Sequence, residues 1–500
     1  MDAELGKTEA ALIAARRDHL AALRSRGHDP FAATRYEIEA TAAELVARYD
    51  FLVAGQQAQA EGWNVAGRIM SIRTAGKTLF ADLHDRTGRL QIYVRMDDLG
   101  DERFAQWTDI ERGDVVGVRG FMFRSKKGDL TLHVTDFTLL SKALMPLPDK
   151  WHGLQDVEKR YRQRYVDLIV NPDVRDTMMM RSRLIAETRR FIDDQGFYEV
   201  ETPTLLHVAG GAAARPFVTH VNALSGEEMQ LRIATELNLK RLIVGGMERV
   251  YEIGRIFRNE GIDTTHNPEF TMLELYAAYW DVHDMMAFNE ALIAHLAGIA
   301  TGGRDELQLG EYLISFKRPF EKVSYLDGIA IYSHGKYTRE LLLDPKGAAK
   351  ILAELGLPPS PTHGHALDKI FERVLEPHLI QPTFVTDYPV VISPLAKRKA
   401  GDPELVDRYE LFCNRMEISN AFTELNDPDD QRARFEAQVR DRAKGDEEIP
   451  EPDWDFVRAL EYGMPPTAGI GIGIDRLIML LTNTTSIRDV LLFPLQRQHG

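Results

Sequence analysis

The chain has 500 residues, and its 61 Lys plus Arg against 76 Asp plus Glu give a formal charge of −15 at neutral pH. That length, with 44% hydrophobic and 27% charged residues, predicts two or three globular domains and excludes a disordered or collagen-like chain. The sequence has no apolar run of about 18 residues and begins without the basic end of a signal peptide, so we expect a cytoplasmic protein with no membrane partner.

The first 62 residues predict a helical extension, from the apolar spacing of Leu12, Leu20 and Leu23. Between residues 63 and 145 the apolar period changes to two, in five short runs separated by glycines. Five such strands predict a small closed β-barrel, for which the oligonucleotide-binding fold is the commonest host. The alternation alone does not distinguish this barrel from others of similar size.

The charge of the barrel segment bears on a nucleic-acid partner. Residues 64–95 contain six Lys plus Arg against only Asp82 and Asp85, which suits a local RNA-binding face. The net negative charge of the whole chain argues against indiscriminate nucleic-acid binding, and we expect no DNA partner. Scattered charge also has an ordinary meaning, a solvated surface.

Residues 146–172 read as a linker, because prolines and a charged run follow the barrel. Residues 173–500 then mix helices and strands, which predicts an α+β domain, with a variable insertion at about 300–380. The single cysteine, Cys413, excludes an internal disulfide, and we assign it to packing. A metal ion would therefore have oxygen or imidazole ligands, which favours magnesium.

Residues 250–277 predict an antiparallel hairpin whose faces differ sharply. Alternation puts apolar side chains on one face and Arg258, Glu260, Phe270, Glu274 and Tyr276 on the other. A polar, charged face of this kind costs free energy when it is buried, unless a ligand pairs with its charges. The alternative is a solvated edge hairpin with cross-strand ion pairs.

A glycine strand follows near the C-terminus. Gly469, Gly471 and Gly473 alternate before an apolar helix that has Arg476 at its start. Alternating glycines bare one face for a flat ligand, and the arginine suits phosphate or adenine. Tight packing of a helix on the strand would explain the glycines almost as well.

Several carboxylates are candidates for ligand binding. Glu417, Asn420 and Glu424 are spaced so that they meet on one side of a helix, or of a strand bending into one, which suits magnesium or an ammonium group. A solvated helix face is the alternative. Glu236 lies in the first turn of a helix that Thr235 could cap, where a helix-dipole role is ordinary.

These motifs occur in an order that resembles the class II aminoacyl-tRNA synthetases. The three signatures of that class are matched by residues 181–203, by residues 257–260 with the returning strand, and by residues 471–476. Within the class, the chain is similar over essentially its whole length to lysyl-tRNA synthetases of the bacterial type. The resemblance implies an N-terminal oligonucleotide-binding β-barrel that binds the anticodon, and a catalytic domain built on an antiparallel sheet flanked by helices. The segments that carry the lysyl resemblance are 210–217, 258–276, 381–390, 417–427 and 463–494.

The resemblance also implies roles for individual residues. Catalysis would rest on Arg258 and Arg476. The residues implied for ATP are Arg258, Glu260, His266, Asn267, Phe270 and Arg476. Those implied for L-lysine are Gly211, Glu236, Glu274, Tyr276, Asn420, Phe422 and Glu424. Mg²⁺, more than one ion with ATP, would be bound by Glu417 and Glu424.

The implied reaction is attack of the lysine carboxylate on the α-phosphorus of ATP, followed by transfer of lysine to the 3′ end of tRNA(Lys). In the barrel, Phe80 would stack on an anticodon base and Gln91 would read one, with Arg68 and Arg73 nearby. The resemblance further implies a homodimer.

Three rivals remain open. Aspartyl and asparaginyl synthetases share the barrel and the signatures but need a cationic pocket, whereas Glu236, Glu274 and Glu424 make this one acidic. A relative that attaches lysine to a protein lacks the barrel. A catalytically silent RNA-binding protein would have to bury these charges without substrate. Three departures from the family are Thr235, where relatives usually carry proline, an inserted-looking turn at residues 224–228 near Asn222, and residues 325–340, which match poorly.

Overall fold

The computed structural model describes residues 2–148, 154–443 and 451–497, and for residues 2–8 the backbone alone. The chain divides into two compact units, Met1–Gln155 and Asp156–Gly500. Residues 149–153 of the expected linker lie outside the described residues. Within the described part of the chain, no helix is long and apolar enough to cross a membrane.

The first unit is a closed five-stranded β-barrel preceded in the chain by two helices. Its elements are α1 (Asp2–Ser25), α2 (Ala42–Arg48), β1 (Trp63–Ala75), β2 (Thr78–His84), β3 (Arg89–Arg95), α3 (Met96–Leu99), α4 (Asp101–Trp107), β4 (Val115–Arg124) and β5 (Leu130–Ser141). The strands are hydrogen-bonded in the order β1-β2-β3-β5-β4. The predicted small barrel is therefore confirmed.

Alternating side chains give the barrel its dry interior. Leu79, Ala81 and Leu83 of β2 are buried, whereas Phe80 and Gln91 lie on the outer face of β2 and β3. The period of two seen in the sequence is thus the inward and outward alternation of a barrel wall.

Within the described residues, the second unit contains one large sheet of nine strands, a separate three-stranded sheet formed by residues 205–231 and a two-stranded sheet formed by residues 306–315. Its strands are β6 (Tyr198–Glu199), β7 (Leu205–Leu206), β8 (Val218–Val221), β9 (Glu227–Leu231), β10 (Arg249–Phe257), β11 (Glu269–Ala278), β12 (Glu306–Leu309), β13 (Tyr312–Ser315), β14 (Glu321–Ser324), β15 (Thr383–Pro389), β16 (Arg398–Lys399), β17 (Asp402–Cys413), β18 (Met416–Thr423) and β19 (Thr467–Gly473). Its helices are α5 (Val157–Arg162), α6 (Arg164–Val170), α7 (Pro172–Asp193), α8 (Glu236–Val244), α9 (Val282–Thr301), α10 (Tyr325–Tyr332), α11 (Arg339–Leu343), α12 (Pro345–Glu354), α13 (His363–Val374), α14 (Pro428–Arg442), α15 (Trp454–Leu460), α16 (Ile474–Leu481) and α17 (Ile487–Val490).

The sheet order is β14-β15-β17-β18-β19-β11-β10-β6, with β16 paired to β17. Its strand pairs are antiparallel except β14 with β15 and β10 with β6. The order brings β17, β18, β19 and β11 side by side although they are distant in sequence. The predicted α+β class, an antiparallel sheet flanked by helices, is confirmed.

One face of the sheet carries the hydrophobic core. Leu273 and Leu275 of β11 and Ile470 and Ile472 of β19 are buried in a cluster with side chains from α7, α9 and α16. The alternate residues of the same strands, Glu274 among them, face the other side. The predicted two-faced hairpin is therefore correct, and the candidate site lies on the polar face.

The segment expected as a variable insertion contains β12 to β14 and α10 to α13. Its helices pack around a separate hydrophobic cluster that includes Tyr325, Leu367 and Phe371. The same cluster takes Val385 and Phe412 from the large sheet, so these helices cover the β15–β17 part of the sheet.

Candidate active site

A cavity of about 520 Å³ lies on the polar face of the sheet, over β11, β19 and β18. The glycines of β19 line its floor. Gly471 lies directly between Glu274 and Asn420 on the neighbouring strands, and Gly469 lies between Tyr276 and Phe422. A Cβ atom at Gly469 would overlap the ring of Tyr276. The glycines thus let pocket side chains lie directly against the backbone of β19, and they line the cavity; the prediction that a flat ligand lies on this face stays a prediction.

One end of the cavity is acidic and contains an internal ammonium group. Glu236 lines the cavity, and Glu424 is buried next to Tyr276 across Gly469. The Nζ atom of the fully buried Lys240 donates to Oε1 of Glu236 at 2.5 Å and also pairs with Glu424. Burial lowers the pKa of Lys240, but the two carboxylates outweigh it and the pKa is raised.

Glu274 completes this acidic end. Its Oε1 accepts a hydrogen bond from the backbone N–H of Thr235 at 2.9 Å, and its Oε2 accepts one from the hydroxyl of Tyr276 at 3.2 Å. Burial, with a contribution from the charge of Glu236, raises the pKa of Glu274 to about 7. Three carboxylates therefore surround one tyrosine, an arrangement that favours a cationic ligand.

Thr235 differs from its sequence interpretation. It precedes α8 as the N-cap residue, but its side chain makes no capping hydrogen bond. Among the described residues its hydroxyl is buried without a partner. The expectation that Thr235 caps the helix is wrong, because its backbone N–H, not its hydroxyl, is the group that this turn uses, and it is directed at Glu274.

The opposite end of the cavity carries arginines. Nη1 of Arg476 donates to Oε2 of Glu417 at 3.2 Å, and its Nη2 donates to Nε2 of His266 at 3.0 Å. Asp475 fixes this helix start, since it accepts the backbone N–H of Thr271 at 2.6 Å and pairs with Arg181. This end therefore suits an anionic ligand.

Arg258 lies between the two ends. Its Nε donates to the carbonyl of Ile233 at 3.3 Å, and its guanidinium carbon lies 5.3 Å from the ring centroid of Phe270. Burial lowers its pKa, against the attraction of Glu260 and other carboxylates. Within the described residues, the Nη groups of Arg258 make no hydrogen bond, which leaves them to an anionic ligand.

Residues expected at the adenine lie around the loop that joins β10 and β11. Glu260, Asn267 and Phe270 all line the cavity. The Nδ2 atom of Asn267 donates to the carbonyl of Glu269 at 2.6 Å, and its buried Oδ1 has no partner within the described residues. An orphan acceptor of this kind suits an amino group on a ligand.

Gly211 and Asn420 are also brought to the cavity. A Cβ atom at Gly211, whose φ is +92°, would lie 3.1 Å from Cβ of Glu236. Oδ1 of Asn420 accepts from Nε of Arg408 at 3.0 Å, which leaves the Nδ2 donors of Asn420 for a ligand. These contacts join the predicted lysine-binding residues into one region.

The magnesium expectation needs a correction. Glu417 lies on β18 and Glu424 directly follows its last residue, and seven residues of extended chain span about 23 Å at roughly 3.3 Å per residue. Glu417 pairs with Arg476, whereas Glu424 pairs with Lys240. The expectation that these carboxylates meet on one side is wrong, because i, i+3, i+7 spacing gathers side chains on a helix but separates them on a strand. The assignment of magnesium to both residues stays a prediction.

Glu410 is the carboxylate that lies near Glu417 instead. It lines the cavity and is held by Arg408 and by the hydroxyl of Tyr388, which donates at 2.7 Å. Burial raises the pKa of Glu410, and the charge of Glu417 adds to the effect. Within the described residues, no group of three His, Cys, Asp or Glu side chains gathers into a metal site.

The barrel presents a second candidate surface, a row of side chains on its outer face. Strand pairing aligns Arg73, Phe80, Tyr93, His133 and Phe121 across β1, β2, β3, β5 and β4. The rings of Phe80 and Tyr93 are 4.8 Å apart, and those of Phe121 and His133 are stacked at 4.7 Å. We name these five residues the aromatic row; such a row suits the stacking of nucleobases.

The other two anticodon candidates lie beside this row. Oε1 of Gln91, on the next row, accepts from the hydroxyl of Thr131 at 2.9 Å. Nη1 of Arg68 donates to the carbonyl of Gly113 at 2.6 Å, and burial lowers the pKa of Arg68. Arg68 is therefore bound to the barrel itself, whereas Arg73 is exposed.

Several residues of the candidate site are not predicted from the sequence. Lys240 follows Glu236 by four residues on a helix, a spacing that could have predicted the pair. Arg408 and Glu410 alternate on β17 without any local signal, because their place depends on β17 pairing with β18. Tyr93 and His133 likewise join the aromatic row only through the strand order of the barrel.

Comparisons with known proteins agree with this geometry. The family model described as tRNA synthetases class II (D, K and N) matches residues 156–497, and the model described as OB-fold nucleic acid binding domain matches residues 63–140. Because the first of these models covers more than half of the chain, the chain belongs to the class II tRNA synthetases.

Relatives that match most of this chain identify the family within the class. A lysine–tRNA ligase from Halalkalibacterium halodurans is 50% identical over 99% of this chain and 98% of its own length. One from Bacillus subtilis is 50% identical over 97% of this chain and 96% of its own. One from Aquifex aeolicus is 54% identical over 86% of this chain and 72% of its own. The chain belongs to the lysine–tRNA ligase family.

Proposed function

We propose that the protein activates L-lysine with ATP and transfers it to the 3′ end of tRNA(Lys). The observation that carries this proposal is the acidic end of the cavity, where Glu236, Glu274 and Glu424 surround Tyr276. A buried carboxylate that pairs an ammonium group rejects a neutral side chain, because its own charge is then left unpaired.

Lysine would lie along the floor between the two ends of the cavity. Tyr276 and Glu424 would bind its ε-ammonium group, with Glu274 supporting them, and Phe422 would contact its hydrocarbon chain. Gly211 and Glu236 would bind the α-ammonium group. Asn420 and Arg258 would orient the carboxylate, a role supported by the free Nδ2 donors of Asn420.

ATP would lie at the arginine end. His266 and Arg476 would bind the γ-phosphate, and Phe270 with Arg476 would enclose the adenine. Glu260 and Asn267 would bind the adenine amino edge, which the orphan Oδ1 of Asn267 supports.

The first step forms a bond between a lysine carboxylate oxygen and the α-phosphorus, and breaks the bond from that phosphorus to the bridging oxygen of pyrophosphate. Arg258 would neutralise charge on the α-phosphate as it develops, and Arg476 charge on the leaving pyrophosphate. No proton has to move in this step, so positioning and charge supply the acceleration. The tRNA ribose hydroxyl then attacks the lysyl carbonyl and releases AMP.

Mg²⁺ fits this site through Glu417 and Glu410 rather than Glu424. The raised pKa of Glu410 reflects burial together with the nearby charge of Glu417, a strain that a divalent cation would relieve. Bound with ATP, the ion would neutralise phosphate charge, and few protein ligands suffice for it.

The barrel would bind the anticodon. Phe80 would stack on one base and Gln91 would read another, with Arg73 close to the RNA backbone and Arg68 supporting the barrel edge. The aromatic row supports this role, because its rings are partly exposed and nucleobases stack on accessible rings.

We further propose a cytoplasmic homodimer, since charged tRNA feeds translation there and class II enzymes share their first signature helix with a partner subunit. Exposed apolar side chains on and beside α7, Met179 and Tyr198, support a contact at this element. Light scattering should give twice the chain mass of 56.7 kDa; a single chain mass at micromolar concentration would contradict the dimer.

The test is ATP–pyrophosphate exchange with lysine, aspartate and asparagine in parallel, for the wild type and a Glu424→Gln variant. We expect exchange with lysine only, and a KM for lysine at least about tenfold higher in the variant, since one charged hydrogen bond contributes roughly 1.5–3 kcal/mol. Exchange with aspartate or asparagine would identify another member of the class. No exchange with any amino acid would favour a silent RNA-binding protein.

A further inference from the structure

The buried side chain of Lys240 has an unusual position beside the amino-acid pocket. It lies on α8 one turn after Glu236 and is fully buried. Its ammonium group joins two carboxylates from different elements, Glu236 on α8 and Glu424 at the end of β18. Its Nζ atom lies 5.4 Å from the ring centroid of Phe422 and 5.6 Å from that of Phe456.

Such a group is costly to bury, so its retention calls for a physical reason. Desolvating an ammonium group costs several kcal/mol, and a well-packed apolar side chain is often as stable in its place. A simple structural pair would need one carboxylate, whereas Lys240 serves two: Glu236, which lines the cavity, and Glu424, which is buried over Gly469 next to Tyr276. Among the described residues, the oxygens of Glu424 have no donor other than this ammonium.

Lys240 offsets part of the negative charge of the pocket. Its ammonium group is paired with Glu236 and Glu424, whereas Glu274 is held by the N–H of Thr235 and the hydroxyl of Tyr276. L-lysine offers two ammonium groups, and its carboxylate is directed at Arg258. Without Lys240, Glu424 would be a buried carboxylate with no fixed cation, for which the neutral form is favoured.

We propose that Lys240 is a positioning residue that sets the amino-acid specificity of this site: its ammonium holds the carboxylates of Glu236 and Glu424 in place for a substrate with two ammonium groups. The inference rests on the proposed function and deepens it. Lys240 itself does not touch the substrate; it acts through the two carboxylates.

The test compares Lys240→Met with a matched control on the same helix. Methionine keeps the length and the packing against Phe422 and Phe456 but removes the charge. Arg241→Met also removes a cation from α8, but Arg241 pairs with Asp453 and Asp455, neither of which lines the 520 Å³ cavity. Both variants are assayed by ATP–pyrophosphate exchange with lysine and with norleucine, which has the hydrocarbon chain of lysine without its ε-ammonium group.

We expect Lys240→Met to raise the KM for lysine at least about tenfold, or 1.4 kcal/mol, with a smaller change in kcat. The preference for lysine over norleucine, taken as the ratio of kcat/KM values, should fall by a similar factor. Arg241→Met should keep the wild-type preference. An unchanged preference in Lys240→Met, or an equal loss with both amino acids, would overturn the proposal and leave Lys240 a structural role.

Folding of the variants and exchange by the wild type decide two further outcomes. If Lys240→Met does not fold, Lys240→Gln is measured in its place, and failure of both to fold would assign Lys240 to stability and overturn the proposal. If the wild type itself shows no exchange with lysine, the proposed function fails, which is a different result from a wild type that works and a variant that keeps its preference.

Discussion

At the scale of single residues, the three carboxylates of the pocket are held by different partners. Glu236 and Glu424 share the ammonium of Lys240, whereas Glu274 depends on the N–H of Thr235 and the hydroxyl of Tyr276. The pocket is therefore arranged before any substrate arrives, which lowers the entropy lost on binding.

Glu274 gives a pH-dependent prediction for stability. Burial raises its pKa to about 7, so between its ordinary pKa and about 7 the folded protein holds a proton that the unfolded chain has released. The free energy of unfolding contributed by this group therefore falls as the pH rises through that window, by at most roughly 3 kcal/mol. Glu274→Gln removes the contribution.

Calorimetric melting of the wild type and Glu274→Gln at pH 5 and pH 8 measures this effect. The variant should gain Tm relative to the wild type as the pH rises. Parallel pH dependence in the two proteins would show that Glu274 titrates in its ordinary range.

At the scale of elements, the glycine strand β19 gives the clearest prediction. A methyl group at Gly469 would overlap Tyr276 and Glu424, whereas one at Gly473 would find its nearest atom, Cδ of Arg476, at 3.7 Å. Overpacking of this kind costs roughly 1–3 kcal/mol. Gly469→Ala should therefore raise the KM for lysine about tenfold or more, and Gly473→Ala should change it by less than about threefold.

Steady-state exchange kinetics at saturating ATP separates the two glycine variants. Equal KM values for lysine in Gly469→Ala and Gly473→Ala would contradict the placement of the amino-acid pocket over Gly469.

The elements also differ in how well their structure can be predicted from the sequence. The faces of the β10–β11 hairpin and the role of the β19 glycines follow from a period of two, which is local information. The sequence leaves the secondary structure of residues 417–424 open, because a spacing of three and seven residues also fits a helix. Pairing with β17 and β19 is what makes the segment up to Thr423 a strand. Arg408 and Glu410 could not be predicted for the same reason, since strand order is set by contacts between distant segments.

At the scale of the whole molecule, the two units are expected to perform separable tasks. Phe80→Ala and Tyr93→Ala on the aromatic row should lower kcat/KM for tRNA about tenfold or more, since stacking contributes roughly 1–3 kcal/mol per base. Lysine-dependent pyrophosphate exchange should stay unchanged, because it needs only the second unit.

Phe51→Ala is the matched control for the barrel variants, because Phe51 is 70% exposed and lies outside the aromatic row. It should charge tRNA as the wild type does. If the row variants charged tRNA normally, or lost exchange together with charging, the assignment of anticodon binding to this face would be wrong.

The most direct test of the acidic pocket is a competition among substrates. The wild-type protein is given ATP, Mg²⁺, total tRNA and an equimolar mixture of the twenty amino acids, and the aminoacyl-adenosine released from the charged tRNA is identified by mass spectrometry. Lysine should be the amino acid attached, since Glu236, Glu274 and Glu424 require a cationic substrate. Attachment of aspartate, asparagine or a neutral amino acid, or no attachment at all, would contradict the role of these carboxylates.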